Sequence, residues 1–135
     1  MKIISGIITS MLLALGLLVA AAPAQADHGY PPSIATHCDS QGVRSTFTTK
    51  QYIRTLFRLK TNGGGFPDAS VSVRIKNNKT GNIVRVANRH YEFRTEKFRF
   101  SPLPRGTYTF RYVATPDNDR YKPCVTKHQI RIVRR

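Results

Sequence analysis

Acidic residues are scarce in this chain of 135 residues, where seven Asp and Glu stand against 22 Lys and Arg. The seven are scattered along the sequence, at Asp27, Asp39, Asp68, Glu92, Glu96, Asp117 and Asp119. Catalysis by paired carboxylates would need two of these few residues to converge. The deficit leaves a formal net charge of +15 at pH 7, which opposes compaction and favours association with polyanions.

Patterns typical of other enzyme and metal sites are also missing. There is no Gly-x-Ser-x-Gly motif, and the glycines at 63–65 lack the following Lys-Ser/Thr of a phosphate-binding loop. Cys124 and His128 would lie about 13 Å apart on a strand, which is too far for both to bind one zinc ion. No serine is paired with a histidine in the sequence. We therefore predict no catalytic residue, no metal site and no cofactor, and expect a protein that is not an enzyme.

Residues 1–26 have the pattern of a secretory signal peptide. Lys2 precedes an uncharged apolar stretch, and Ala24-Gln25-Ala26 forms a cleavage site with small residues. The alternative is an uncleaved membrane anchor, which the polar and glycine residues within the stretch and Pro23 disfavour. We expect a bacterial protein that is secreted or associated with the cell wall. Its mature part would retain 21 Lys and Arg, because only Lys2 lies in the leader.

The chain contains only two cysteines, Cys38 and Cys124. In an oxidising compartment a single pair of cysteines is expected to form a disulfide. The bridge would close a loop of roughly 85 residues, which the chain-entropy model values at about 4 kcal/mol. We predict that this disulfide forms and offsets part of the destabilisation caused by charge repulsion.

After the leader, apolar residues alternate with polar ones at a period of two. Tyr108, Phe110 and Tyr112, for example, are separated by Thr109 and Arg111, and such alternation is typical of half-buried strands. Turn signals rich in Gly, Pro, Asn and Asp separate the runs. The pattern predicts one antiparallel β-sandwich of about seven strands, near residues 43–49, 52–60, 69–76, 83–87, 91–101 (with a break at 95–96), 106–114 and 124–133. Residues 27–42 are expected to form an N-terminal arm, and residues 43–135 the domain.

The segment Leu103-Pro104-Arg105-Gly106-Thr107-Tyr108 resembles the turn into the sixth strand of secreted bacterial Ig-like repeat domains. The resemblance covers about residues 50–133 and implies an Ig-like sandwich. It also implies structural roles for Gly106 in the turn and for Tyr108, whose hydroxyl would bind the backbone across the corner. Collagen-adhesin B-type domains have a similar turn and remain an alternative. In the Ig-like order, the strands that carry Arg74, Arg111 and Arg131 share a sheet.

The basic residues are the candidate binding residues, because many of them fall on the outward side of the predicted strands. Arginine outnumbers lysine 14 to seven after the leader, and its guanidinium binds phosphate and carboxylate in a bidentate manner. The alternative is a solvated surface that reflects the arginine usage of the organism. The predicted polyanion-binding set, with Lys60 on the same side, is Arg54, Arg58, Arg74, Lys76, Arg99, Arg111, Lys127 and Arg131.

These features predict an exported, basic, non-catalytic binding or structural module. The expected partners are anionic polymers of the cell envelope or acidic protein surfaces, and peripheral contact with acidic membranes is compatible with the charge. No motif for sequence-specific nucleic-acid recognition is present. The alternative function is a small secreted antimicrobial or inhibitory effector that acts on anionic membranes or proteins. The sequence does not determine the oligomeric state.

Overall fold

The computed structural model describes residues 34–63, 67–92 and 95–135. The predicted signal peptide and the first part of the predicted arm lie outside the described residues. Those described form eight strands and no helix. Their bounds are β1 Thr36–Gly42, β2 Thr46–Thr48, β3 Ile53–Thr61, β4 Ala69–Asn77, β5 Ile83–Tyr91, β6 Glu96–Phe100, β7 Gly106–Pro116 and β8 Cys124–Val133.

The strands form two sheets, which we call the small sheet, ordered β1-β3-β6, and the large sheet, ordered β2-β8-β7-β4-β5. All neighbours are antiparallel except β2 and β8, which are parallel. In the Ig-like sandwich, a sheet that contains strands A, B and E faces a sheet that contains strands G, F and C. Here β1, β3 and β6 correspond to A, B and E, and β8, β7 and β4 correspond to G, F and C. The predicted all-β, Ig-like fold is confirmed, and the strands carrying Arg74, Arg111 and Arg131 share the large sheet.

The core lies between the sheets and is rich in aromatic rings. In β4 and β7, buried and accessible residues alternate along the strand, as the period-two pattern predicts. The Phe57 and Tyr112 rings stack with centroids 5.5 Å apart, and the Tyr112 hydroxyl meets that of Thr55 at 2.5 Å. The hydroxyl of Tyr91 donates to the carbonyl of Leu59 at 3.3 Å. These bonds satisfy phenol groups that burial would otherwise leave without partners.

Three strand assignments made from the sequence need correction. Residues 36–42 are not part of an arm, because Thr36–Gly42 pair with β3 along their whole length. The predicted strand at 43–49 shrinks to the three residues of β2. The predicted strand at 91–101 belongs to two strands, since β5 continues to Tyr91 and β6 begins at Glu96, where the sequence indicates a break. The sequence THCDSQG of β1 carries no apolar alternation, so backbone pairing and the disulfide hold this strand in place.

The predicted disulfide between Cys38 and Cys124 is confirmed, with Cα atoms 5.8 Å apart. Antibody domains link the two sheets through their second and sixth main strands. Here the link joins β1 in the small sheet to β8 in the large sheet. The bridge therefore fastens the two terminal strands of the sandwich to each other.

The corner at the start of β7 holds the two predicted structural residues. The hydroxyl of Tyr108 donates to the carbonyl of Pro104 at 2.9 Å, and the Tyr108 side chain is 1% exposed. Gly106 has a φ of 156°, which L side chains rarely adopt. Both residues have the geometry of a tyrosine corner.

Within the described residues there is no helix long and apolar enough to cross a membrane.

Candidate anion-binding face

The strands of the large sheet contain basic residues but no acid. None of the seven Asp and Glu residues falls within β2, β4, β5, β7 or β8. The Lys and Arg residues in these strands are Arg74, Lys76, Arg85, Arg89, Arg111, Lys127 and Arg131. Arg74, Lys76, Arg111, Lys127 and Arg131 are exposed on the outer face of the sheet, whereas Arg89 pairs with Glu96 of the small sheet at 3.1 Å. None of the five outer-face cations has an ion pair among the described residues, and a surface of one sign attracts anions.

Three of these cations stand side by side across neighbouring strands. Arg74 of β4 lies opposite Arg111 of β7, and Arg111 lies opposite Lys127 of β8. Strands in a sheet are about 4.8 Å apart, so the three Cα atoms span roughly 10 Å. We call Arg74, Arg111 and Lys127 the cationic row. Like charges directly opposite each other destabilise a sheet, so this arrangement lowers the stability of the free protein.

The cationic row forms part of a shallow groove on the outer face of the large sheet. The groove has a volume of about 640 Å³, and its lining includes Lys76, Thr109 and Gln129 beside the cationic row. Thr109 donates its hydroxyl hydrogen to the side-chain oxygen of Asn78 at 2.7 Å. The groove therefore combines positive charge with neutral groups that can hydrogen-bond an extended ligand.

The structure divides the predicted polyanion-binding set between the two sheets. Arg74, Lys76, Arg111 and Lys127 line the one groove, while Arg131 lies nearer the end of β8, in a separate depression with Arg105 and Arg134. The other predicted residues, Arg54, Arg58 and Arg99, are on the small sheet. The eight residues therefore do not form one continuous site.

Three of the seven acidic residues lie at one end of the large sheet. Asp68 precedes β4, Glu92 follows β5 and Asp117 follows β7, and these strand ends are paired with one another. The cationic row lies five residues along β4, roughly 17 Å away. His90 bonds Asp117 at 2.6 Å through Nε2 and Glu92 at 3.3 Å through Nδ1. The hydrogen bond to Asp117 is the main cause of the raised pKa of His90.

A contact between a serine and a histidine lies inside the sandwich and could not be found from the sequence. Ser40 Oγ of β1 is 2.9 Å from His128 Nδ1 of β8. The imidazole stacks between Phe110 and Tyr112, with centroids 5.4 and 5.6 Å away. Burial lowers the pKa of His128 to about 4, against a smaller opposing effect of Asp39. The ring is therefore neutral at pH 7.

The surroundings of this pair do not resemble a nucleophilic triad. Ser40 is 8% exposed, and the buried His128 Nε2 has no hydrogen-bond partner among the described residues. A base that activates a serine is normally oriented by a third polar group on its other nitrogen. Among the described residues, no three His, Cys, Asp or Glu side chains gather as a metal site would require. The pair packs the two sheets together.

No protein-family model matches this sequence, and no curated protein matches it. Among solved structures, the chain is similar to the CARDB domain of the PF1109 protein from Pyrococcus furiosus, in complex with di-metal ions. The identity is 16% and the TM-score 0.47, over 74% of this chain and 89% of that chain. It is also similar to a β-glucosidase from Erythrobacter marinus, with 12% identity and a TM-score of 0.46, over 74% of this chain but only 16% of that chain.

Likenesses at these TM-scores carry no argument about function. The strand order itself establishes the Ig-like sandwich, and the outer face of the large sheet supplies the chemistry from which a function can be argued.

Proposed function

We propose that this protein is an exported, non-catalytic binding module whose large sheet holds linear anionic polymers of the cell envelope. The observation that carries the proposal is the cationic row, in which Arg74, Arg111 and Lys127 occupy facing positions on three adjacent strands. Facing cations cost stability in the free protein. A polyanion laid across the strands would remove that cost by neutralising all three.

The chemistry of the groove favours phosphate or sulfate groups carried on a chain. Arginine offers a planar fork of donors to such groups, whereas lysine offers a compact point charge. Lys76 lies two residues from Arg74 on β4, so a fourth cation extends the row along the strand. Binding of this kind gains its free energy mainly from released counterions. Affinity should therefore depend on charge density along the polymer.

Two features support export. Residues 1–26 have the sequence pattern of a signal peptide, and the Cys38–Cys124 disulfide suits an oxidising compartment. An exported protein meets wall polymers and acidic surfaces before it meets nucleic acid. We therefore place the biological ligand in the envelope.

A charge-matched pair of triple variants tests the proposal. The first replaces Arg74, Arg111 and Lys127 with Gln, and the control replaces Arg58, Lys60 and Arg120, which are exposed and lie outside the large-sheet groove. Both lose three positive charges. We expect calorimetry with purified poly(glycerol phosphate) teichoic acid to show at least a tenfold loss for the first variant and less than threefold for the control. Equal losses would mean that net charge alone drives binding.

The alternative function, a membrane-active effector, predicts a different outcome. An effector would release a trapped dye from vesicles of phosphatidylglycerol, whereas a binding module would adsorb to them without leakage. We expect adsorption at low salt and no release of dye by the wild-type protein.

A further inference from the structure

The small sheet carries a pair of arginines that the proposed function does not use. Arg54 of β3 lies directly opposite Arg99 of β6, so two guanidinium groups leave the sheet from facing positions. Neither takes part in any ion pair among the described residues. As in the cationic row, facing like charges without a counterion destabilise the pairing of the strands.

An aromatic ring holds one of these arginines in place. The guanidinium carbon of Arg99 is 3.8 Å from the ring centroid of Tyr52, which is close for a cation–π contact. Tyr52 remains 49% exposed, so the free side of the ring is open to a ligand. The stacked guanidinium is ordered before binding, which reduces the entropy lost when an anion docks.

Two adjoining depressions border the arginine pair, and Arg99 lines one of them. One, of about 340 Å³, includes Phe47 and Tyr52 in its lining, and the other, of about 440 Å³, includes Leu56 and Phe98. Val43 and Arg54 line both, and the backbone N–H of Val43 donates to the carbonyl of Arg54 at 2.9 Å. Val43 is 55% exposed. The site therefore places open apolar surface directly beside two unpaired cations.

We infer that this site binds an anionic amphiphile, meaning a phosphate or carboxylate head attached to an apolar body. The two guanidinium groups can bind the oxygens of the head. The apolar body can cover Val43 and the free side of Tyr52, which removes apolar surface from water. A plain polyanion would use the arginines and leave this apolar surface exposed. The ligand therefore differs in chemistry from that of the large sheet.

The inference does not rest on the proposed function, because it concerns the opposite sheet. Two sources could supply such a ligand, namely a free anionic lipid or a lipid headgroup within a membrane. The probes are therefore dihexanoyl-phosphatidylglycerol below its critical micelle concentration, and vesicles of phosphatidylglycerol. Dihexanoyl-phosphatidylcholine is the probe without net charge, and inorganic phosphate is the probe without an apolar body.

The test compares the double variant Arg54→Gln/Arg99→Gln with the control Arg58→Gln/Lys60→Gln. Both control residues lie on β3 of the same sheet, and each double variant loses two positive charges. Circular dichroism verifies that both fold. We expect the wild type to bind the monomeric anionic lipid at least tenfold more tightly than either control probe. In backbone NMR spectra, the shifts should centre on Val43, Tyr52 and Arg54.

The Arg54/Arg99 variant should lose at least tenfold in affinity, and the Arg58/Lys60 variant less than twofold. If the loss extends to vesicles, the membrane is the source of the ligand, and if it is confined to monomeric lipid, the source is a free amphiphile. Both results support the site. Equal losses in the two variants, or no binding of the monomeric anionic lipid by the wild type, would overturn it.

Discussion

Ser40 Oγ and His128 Nδ1 lie 2.9 Å apart, although 88 residues separate them in the sequence. Ser40 belongs to the small sheet and His128 to the large sheet, so this contact joins the two layers next to the Cys38–Cys124 bridge. The histidine is kept neutral by burial, which lowers its pKa to about 4. We therefore expect the stability of this junction to depend on pH.

Acid should destabilise the protein through His128. A folded pKa below the usual 6.5 means that the unfolded chain binds the proton more readily, so stability falls as the pH drops from 6.5 towards 4. We expect a loss of about 2 kcal/mol in the free energy of unfolding between pH 7 and pH 4.5, allowing for partial exposure of the ring. Urea unfolding at the two pH values measures it.

His128→Phe should remove most of this acid sensitivity, because a phenyl ring keeps the stacking with Phe110 and Tyr112 and cannot take up a proton. His90 serves as the comparison, because its effect on stability changes with pH in the opposite direction. Asp117 raises the pKa of His90, so the stability that His90 contributes is present below pH 6.5 and is lost as the pH rises through the folded pKa. An acid-induced loss that is unchanged in His128→Phe would refute the assignment.

Loss of the disulfide should destabilise the sandwich without changing its surface charge. Cys124→Ser removes the covalent link between β1 and β8, while β1 keeps its pairing with β3, and the expected loss is about 2–5 kcal/mol. Denaturant unfolding of the variant and of the wild type measures this difference. Two free thiols in freshly secreted wild-type protein, detected by mass spectrometry after non-reducing digestion, would contradict the assignment.

Tyr108 should matter for stability and not for binding. Tyr108→Phe removes the hydrogen bond from the buried hydroxyl to the Pro104 carbonyl, at a cost of about 1 kcal/mol. Thermal unfolding measures the loss, and binding of teichoic acid by the folded variant should equal that of the wild type. Weaker binding at an unchanged melting temperature would give Tyr108 a role in the site.

The fold was predictable where apolar residues alternate strongly, and less so elsewhere. β4 and β7 bury every second residue, and apolar residues alternate with polar ones at the same period in their sequences. β1 was missed because its polar residues are held by pairing with β3 and by Cys38 rather than by an apolar face. Alternation also cannot distinguish β5 and β6 as strands of different sheets.

The candidate sites depend on alignment between strands, which the sequence does not contain. Outward positions could be assigned to Arg74, Arg111 and Lys127 one strand at a time. Their arrangement as one row follows from the register of β4, β7 and β8. The same limit explains why Arg54 and Arg99 were grouped with the large-sheet residues, and why the Ser40–His128 contact was not foreseen.

The salt dependence of polyanion binding tests the cationic row most directly. With a short DNA duplex as a polyanion of known charge density, log K should fall linearly with log salt, with a slope of about −0.9 for each phosphate neutralised. We expect Arg74→Gln/Arg111→Gln/Lys127→Gln to reduce the magnitude of the wild-type slope by about 2 to 3, and the Arg58/Lys60/Arg120 variant to leave it nearly unchanged. A slope that is the same in the wild type and the row variant would contradict the central role of the cationic row.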